Sequence, residues 1–254
     1  MFLRVVLKLS GEAIGSSGSN GIEDSPTGYN DRIVDSIVRQ VTACVQGGTQ
    51  FALVVGGGNF WRGHQARPDM NRVKADQMGM LATVMNALYL EEAFKRAGQE
   101  AKTITPITIG NFTTPYEMGK ALELMGSGVV IINAAGLGHP YFSTDTVTAL
   151  RAAELGADCV LFAKNIDGVY DSDPSINPNA RKFKTLSYKT AIKKDLKAAD
   201  QTAIQLLSEA ALPAYVFGLG EHLAIENAIN YPNTRGLEGT FINVNAEEDF
   251  YAAS

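Results

Sequence analysis

Phosphate chemistry is indicated by a lysine, a run of glycines and an arginine that follow two apolar segments of the sequence. Lys8 ends the first segment and is followed by Ser10 and Gly11, while the glycines at 56–58 follow the second and precede Arg62. Glycines allow a backbone to approach a phosphate closely, and a guanidinium binds phosphate oxygens in pairs. The sequence lacks the glycine and lysine spacing of a P-loop. An anion site of another kind is predicted, with a solvated lysine and a tight glycine turn as the simpler alternatives.

A second group of functional residue types lies in GLGHPYFSTD, residues 136–145, directly after the apolar run 129–133. Ser143 and Thr144 are able to cap the next helix, and the amino end of a helix favours a bound phosphate. The two aromatic side chains are placed to contact a base, and Asp145 would then face cationic groups. Few structural needs combine these residue types, so this segment is the strongest candidate for a nucleotide site.

Two further motifs carry polar residues at the ends of predicted elements. Asp76 lies where a helix is expected to begin, so it either caps that helix or accepts hydrogen bonds from ribose hydroxyls. The segment AKNIDGVYDSDP, residues 163–174, places Lys164 and Tyr170 beside an Asp-Gly turn, with a solvated loop as the alternative. Ligands of open α/β sheets bind at the carboxyl ends of the strands. Five motifs occupy such positions, so we expect one shared cleft.

The elements that would position these motifs alternate between strand and helix along one chain, which predicts a single α/β domain with a mainly parallel sheet. Strands are predicted at 2–9, 51–55, near 102, 129–133, 159–163, 214–217 and 240–244. Helices are predicted at 33–45, 76–97, 115–125, 143–155, 200–211 and 222–230. The basic stretch 189–197 is interpreted as a solvated face, and 245–254 as a loose terminus.

Composition excludes several classes of protein. A chain of 254 residues with 45% hydrophobic residues is able to bury one substantial core, and its net charge of -5 argues against a nucleic-acid protein held by a basic field. The apolar runs are shorter than the roughly 18 residues of a membrane span, and the first residues do not resemble a signal peptide, so the cytoplasm is expected.

Cys44 and Cys159 lie in apolar patterns and are interpreted as buried thiols. The three histidines have no metal-ligand spacing, and no direct protein metal site is predicted.

Several motifs together resemble the bacterial uridylate (UMP) kinases of the amino-acid-kinase superfamily. They are KLSGE at 8–12, VVGGGNFWRG at 54–63, NRVKADQMGMLATVMNAL at 71–88, GLGHPYFSTD at 136–145 and AKNIDGVYDSDP at 163–174. The resemblance extends across nearly the whole chain. It implies a three-layer αβα sandwich around one mainly parallel central sheet. It also implies transfer of the ATP γ-phosphoryl group to UMP with Mg²⁺, giving UDP and ADP in pyrimidine nucleotide biosynthesis.

The resemblance assigns residues to two substrates. The ATP side is similar at Lys8, Leu9, Ser10, Gly11, Gly58, Arg62, Lys164, Tyr170 and Asp173. The UMP side is similar at Gly57, Asp76, Leu137, Gly138, His139, Pro140, Tyr141, Phe142, Ser143 and Thr144. Lys8, Arg62 and Asp145 are the expected catalytic residues: the cations act on the transferring phosphoryl group, and Asp145 orients them. Residues 1–160 would mainly bind UMP and carry the catalytic groups, and 161–244 would mainly bind ATP.

The resemblance also implies a cytoplasmic homohexamer, with GTP as activator and UTP as inhibitor in many members. This chain departs from the family in having Phe162 where some members have a lysine, so Lys164 is expected to take over its phosphate contact. Leu137 and His139 replace Thr and Asn of many relatives, so backbone groups are expected to do more of the recognition of uracil. Two alternatives remain: a related kinase with another acceptor, or a non-catalytic nucleotide- or oxoanion-binding storage protein on the same fold.

Overall fold

The structure, a computed structural model, describes residues 2–15, 27–61, 67–220, 223–230 and 239–251. The strands are β1 Arg4–Leu9, β2 Gln50–Val55, β3 Ala101–Thr105, β4 Thr114–Pro115, β5 Val130–Asn133, β6 Cys159–Lys164, β7 Phe183–Ser187, β8 Ala214–Gly218, β9 Thr240–Asn243 and β10 Asp249–Phe250. The helices are α1 Gly11–Ile14, α2 Asp31–Gln46, α3 Arg72–Arg96, α4 Met118–Gly126, α5 Thr144–Leu155, α6 Tyr188–Lys193, α7 Gln201–Glu209 and α8 Ala224–Ile229.

Within the described residues, ten strands form one sheet in the order β10-β7-β9-β8-β6-β1-β2-β5-β3-β4. Every neighbouring pair is parallel except β8 with β9 and β10 with β7. The central strands are buried on both faces, which explains their continuous apolar sequences. The mainly parallel sheet that the sequence predicts is therefore confirmed.

Helices cover both faces of the sheet. One core cluster joins the sheet to α2, α3 and α8, and the other joins it to α4, α5, α6 and α7. Alternate residues of β1 enter opposite clusters: Val5 and Leu7 lie in the first and Val6 in the second. The three-layer αβα arrangement is thus produced by strands that are apolar on both sides.

Two sequence-based expectations about element ends are wrong. Helix α3 begins at Arg72, before the predicted start, because Asn71 is its N-cap and accepts hydrogen bonds from the amides of Val73 and Lys74. Asp76 therefore lies inside the helix, and its interpretation as a capping residue is wrong. The predicted start of a helix at 115 is also too early, because Thr114–Pro115 pairs with β3 and α4 begins at Met118.

The expectation of a loose terminus is wrong for residues 245–251. Strand β10 pairs with β7, and the ring of Phe250 lies 4.3 Å from the ring of Phe183. The guanidinium of Arg181 lies 4.1 Å from the Phe250 ring centre, and the Tyr251 hydroxyl donates a hydrogen bond to the carbonyl of Gly239. Aromatic contacts thus order a segment whose composition alone looked disordered.

Other expectations from composition are confirmed in part. The lysines at 189, 193, 194 and 197 are exposed, as the interpretation of a solvated face requires. Cys159 is fully buried and Cys44 partly so, and burial raises the pKa of both thiols, to about 12 for Cys44. Across the described parts of the chain, no helix is both long and apolar enough to cross a membrane.

Candidate active site

The centre of the candidate site is a buried ion pair between Lys8 and Asp145. Lys8 lies near the carboxyl end of β1, paired in register with Val54 of β2 and Phe162 of β6. Its Nζ atom lies 3.0 Å from Oδ1 of Asp145, with the two side chains only 11% and 15% exposed. The contact has ion-pair distance without hydrogen-bond geometry, since Asp145 Oδ1 has no hydrogen-bond partner in the described structure. The two opposite charges are therefore held close together in a largely buried setting.

Asp145 owes its position to the start of α5. Ser143 is the N-cap, and its hydroxyl oxygen accepts hydrogen bonds from the amides of Asp145, at 3.0 Å, and Thr146, at 3.2 Å. This confirms the predicted capping role of Ser143. The cap places the carboxylate in the first turn of the helix, where the helix dipole favours negative charge.

Asp200 belongs to the same cluster, although the sequence did not identify it. Its carboxylate accepts hydrogen bonds from the hydroxyls of Ser143 and Thr146, and it also caps α7 by accepting the amide of Ala203 at 3.0 Å. Asp200 thus joins the start of α7 to the start of α5. The available sequence signal was the acidic residue at the start of the predicted helix 200–211, which does not distinguish an ordinary cap from a site residue.

Lys164 brings a second cation to the centre from the end of β6. Its ammonium donates a hydrogen bond to the carbonyl of Ala198. Burial lowers the pKa of Lys164 from 10.5, and the charge of Lys8 lowers it further, whereas Asp145 and Asp200 oppose the shift. Lys164 follows Phe162, the β6 partner of Lys8, by two residues, so both lysines lie at the same edge of the sheet, as a site for an anionic group requires.

The glycine turns are needed because two loops and a helix approach each other closely. A Cβ atom on Gly11 would lie 2.4 Å from the amide nitrogen of Gly58, and one on Gly57 would lie 2.8 Å from the Cβ of Ala82. Residues with side chains would therefore separate the turn after β1 from the turn after β2, or the latter from α3. None of the glycines at 56–58 has a left-handed φ angle, so close packing explains the run better than backbone handedness.

A pair of amides fixes this glycine turn to α3. The buried Asn86 donates to the carbonyl of Gly56 at 2.6 Å and to the side-chain oxygen of Asn59 at 2.8 Å. Asn59 donates in return to Asn86 at 3.1 Å. Neither asparagine was singled out in the sequence, since their importance depends on a contact between residues far apart in the chain.

The first of two clefts lies between the glycine turn, α3 and the loop before α5, with a volume of about 150 Å³. Its lining residues are Gly57, Trp61, Ala75, Asp76, Gly79, Met80, Thr83, Gly136, His139, Phe142 and Thr144. Five residues assigned to UMP by resemblance are among them, namely Gly57, Asp76, His139, Phe142 and Thr144. The other five, Leu137, Gly138, Pro140, Tyr141 and Ser143, belong to the same loop but are not among the lining residues.

Asp76 is already held by two groups in this cleft. The guanidinium of Arg72 donates to both carboxylate oxygens, at 2.8 and 2.9 Å, and the amide of Tyr141 donates to Oδ2 at 2.8 Å. The Arg72 guanidinium also lies 5.2 Å from the centre of the Tyr141 ring. The carboxylate is thus oriented toward the loop, with lone pairs left for a ligand.

The second cleft, of about 420 Å³, follows β6 on the other side of Lys8. It is lined by 166, by 168–174 and by 194–197, which include Tyr170 and Asp173. Hydrogen bonds from the hydroxyl and amide of Ser175 lower the pKa of Asp173. The Tyr170 hydroxyl donates to Asp167 at 2.9 Å. Two of the residues assigned to ATP thus line this cleft, whereas Leu9, Ser10 and Gly11, at the end of β1, are not among its lining residues.

Arg62, assigned to catalysis and to ATP, lies outside the described residues. Within the described ranges, no group of three or more His, Cys, Asp or Glu side chains is arranged to hold a metal ion. What the structure does bring together is Lys8, Asp145 and Lys164, with one cleft beyond β2 and another beyond β6.

Comparison of the sequence with known proteins identifies the family of this chain. The sequence profile of the amino acid kinase family matches residues 3–218. The uridylate kinase of Streptomyces avermitilis is 45% identical over 218 residues, which cover 85% of this chain and 84% of that protein. The uridylate kinase of Oenococcus oeni is 44% identical over 230 residues, which cover 90% of this chain and 93% of that protein. The chain belongs to the uridylate kinases of the amino acid kinase family.

Solved structures agree with this membership. The UMP kinase of Bacillus anthracis has a TM-score of 0.89 at 30% identity and covers 99% of both chains. The UMP kinase of Ureaplasma parvum has a TM-score of 0.85 at 33% identity, covering 96% of this chain and 99% of its own. The family resemblance and the fold class inferred from the sequence are both confirmed. Membership of this kinase family also disfavours the reading as a storage protein.

Proposed function

We propose that the protein transfers the γ-phosphoryl group of ATP to UMP. The bond from the γ-phosphorus to the β,γ-bridging oxygen breaks, a phosphate oxygen of UMP forms the new bond, and the products are UDP and ADP. No general base is needed, because the UMP phosphate is already a nucleophile. The reaction would supply UDP for pyrimidine nucleotide synthesis leading to CTP.

The position of Lys8 is the observation that carries this proposal. In the sheet, β1 lies between β2, whose glycine turn borders the smaller cleft, and β6, which leads into the larger one. The smaller cleft with Asp76 suits the nucleoside monophosphate, and the larger cleft with Tyr170 suits ATP. With this assignment, Lys8 would lie where the phosphates of the two nucleotides meet.

Phosphoryl transfer depends mainly on positioning and on neutralisation of charge, because its transition state is loose. Lys8 would contact the transferring group, and Lys164 would contact phosphate oxygens in place of the lysine that some relatives carry at position 162. Asp145 would hold the Lys8 ammonium in place. We extend the assignment to Arg62, and to Leu9, Ser10 and Gly11, as phosphate contacts on the ATP side.

Mg²⁺ is the proposed cofactor and would enter with ATP. Because the described side chains form no metal cluster of their own, the ion would be held mainly by phosphate oxygens and water, as Mg²⁺ commonly is. The carboxylate of Asp145, held beside Lys8, is a suitable acceptor for that water shell. When bound, the ion neutralises charge on the phosphates.

The proposals for regulation and assembly rest on the resemblance to the uridylate kinase family. We propose a homohexamer, activated by GTP and inhibited by UTP, with residues 1–160 serving mainly UMP and 161–244 mainly ATP. The cytoplasmic location expected from the sequence stays a prediction.

An assay of ADP release with UMP, with CMP and without acceptor tests the proposed reaction. We expect turnover with UMP alone and loss of turnover when EDTA removes Mg²⁺. Turnover with a different acceptor would redirect the proposal to another kinase reaction, and silence with every acceptor would favour a nucleotide-binding protein. Lys189→Met serves as the control for later lysine variants, because Lys189 is an exposed lysine on α6.

A further inference from the structure

The loop before α5 has a backbone that ordinary residues rarely adopt. Ala135, Gly136, Gly138 and Tyr141 have φ angles of 58°, 60°, 77° and 72°. Glycine tolerates this left-handed region without cost, whereas residues with side chains seldom occupy it. Some contact must therefore hold the loop at Ala135 and at Tyr141.

Helix α3 supplies a contact at each of these two residues. The hydroxyl oxygen of Thr83 accepts a hydrogen bond of 2.7 Å from the amide of Ala135, and Asp76 accepts one of 2.8 Å from the amide of Tyr141. The two non-glycine residues with left-handed φ in this loop are thus the two whose amides bind side chains of α3. Asp76 was already assigned to the acceptor by resemblance, whereas Thr83 was not singled out.

Thr83 makes a specific, buried contact. Its side chain accepts from Ala135 and donates to the carbonyl of Met80 at 2.7 Å, so both hydrogen-bonding functions of the hydroxyl are used. The residue is only 4% exposed and Ala135 is fully buried, so water cannot replace the bond cheaply. Thr83 also lines the smaller cleft beside Gly136 and His139.

We propose that Thr83 is a positioning residue that shapes the loop 135–142 for the nucleoside monophosphate. Its hydroxyl fixes the first left-handed residue of the loop, while Asp76 fixes the last, so the backbone between them is presented to the acceptor in one conformation. This matters because Leu137 and His139 stand where many relatives have Thr and Asn, so the backbone of this loop is expected to do more of the recognition of the base. The inference rests on the proposed function in assigning UMP to the smaller cleft.

Thr83→Val tests the inference, because valine keeps the shape of threonine and removes the hydroxyl. Loss of a buried hydrogen bond should raise the KM for UMP by about tenfold, with the KM for ATP changed by less than about twofold. Thr83→Ser keeps the hydroxyl and should restore the KM for UMP to near the wild-type value. Equal changes in both KM values, or a serine variant as impaired as the valine variant, would overturn the proposal.

Amide hydrogen exchange of the substrate-free protein gives a second readout that does not depend on turnover. Thr83→Val should speed exchange in the peptide containing residues 134–142 and leave the peptides of β1 and β6 unchanged, whereas Thr83→Ser should match the wild type. Unchanged exchange in 134–142 would overturn the positioning role even if the KM moved. If the wild type has no activity with UMP, the reaction is wrong, while this exchange measurement still decides whether Thr83 holds the loop. Thr83→Ala provides the same comparison if the valine variant folds poorly.

Discussion

Replacing Lys8 with methionine separates the catalytic charge of this residue from its part in folding. Methionine keeps most of the length and apolar stem of lysine but leaves Asp145 without its 3.0 Å partner. Two different effects are expected: the transition state loses a cation, and the Asp145 carboxylate loses its ion-pair partner in the folded state.

The structure sets the size of each loss. Removing one partner of a well-buried pair costs about 3–5 kcal/mol. Lys164 interacts with Asp145 and reduces this cost, so we expect the free energy of unfolding to fall by about 2 kcal/mol. Loss of a charged group that stabilises the transition state should lower kcat by about 10²–10³-fold, with little change in the KM for UMP.

The double variant Lys8→Met/Asp145→Asn distinguishes the two losses. It removes the buried carboxylate charge, so the free energy of unfolding should return to within about 1 kcal/mol of wild type, while kcat stays low. Urea denaturation and the ADP-release assay measure the two quantities, with Lys189→Met as the control for loss of an exposed lysine. Recovery of kcat in the double variant, or a kcat near wild type in Lys8→Met, would refute the role given to Lys8.

Three further outcomes are expected. Asp76→Asn should raise the KM for UMP about tenfold in steady-state kinetics, since a neutral amide is a weaker acceptor for ribose hydroxyls; an equal rise in the KM for ATP would argue against this placement. Because burial lowers the pKa of Lys164 in the free protein, its ammonium is charged below that lowered pKa and neutral above it, so kcat/KM for ATP should decline with rising pH before 10.5. Lys164→Arg should move this decline to higher pH in a profile of kcat/KM for ATP against pH, and an unmoved profile would assign it to another group. Phe250→Ala should lower the free energy of unfolding by about 1–2 kcal/mol in urea denaturation and leave kcat unchanged, and wild-type stability would mean that the aromatic contact with Phe183 adds nothing.

The sequence predicted the parts of the fold that depend on local pattern. Continuous apolar runs identify the buried strands β1, β2, β5 and β6, and the glycines and polar residues after them identify the edge of the sheet where the site lies. The capping role of Ser143 was also readable, because the preference for serine at a helix start has a local cause. The assignment of individual residues to ATP and to UMP stays a prediction.

The parts that could not be predicted depend on contacts between distant residues. Asp200 reaches Ser143 across more than fifty positions of the chain, and Thr83 reaches Ala135 across a similar separation. Strand β10 pairs with β7, and the Phe250 ring packs against Phe183 of that strand. The polar composition of 245–251 gives no sign of this contact. The start of α3 was predicted at Asp76 instead of Arg72, because Asn and Asp cap helices about equally well and the sequence offers both Asn71 and Asp76.

The two-residue strands at the sheet margins limit how copies of the chain are able to associate. An exposed edge strand offers unpaired backbone groups to another sheet, and proteins suppress this with short strands or proline at the edge. Within the described residues, β10 ends one margin and β4, which contains Pro115, ends the other. Strand addition between copies is therefore disfavoured at both margins. Within the part of the chain that the structure describes, the helical layers therefore offer better surfaces for association than the sheet margins, and loss of β10 would expose β7 to unintended pairing and aggregation.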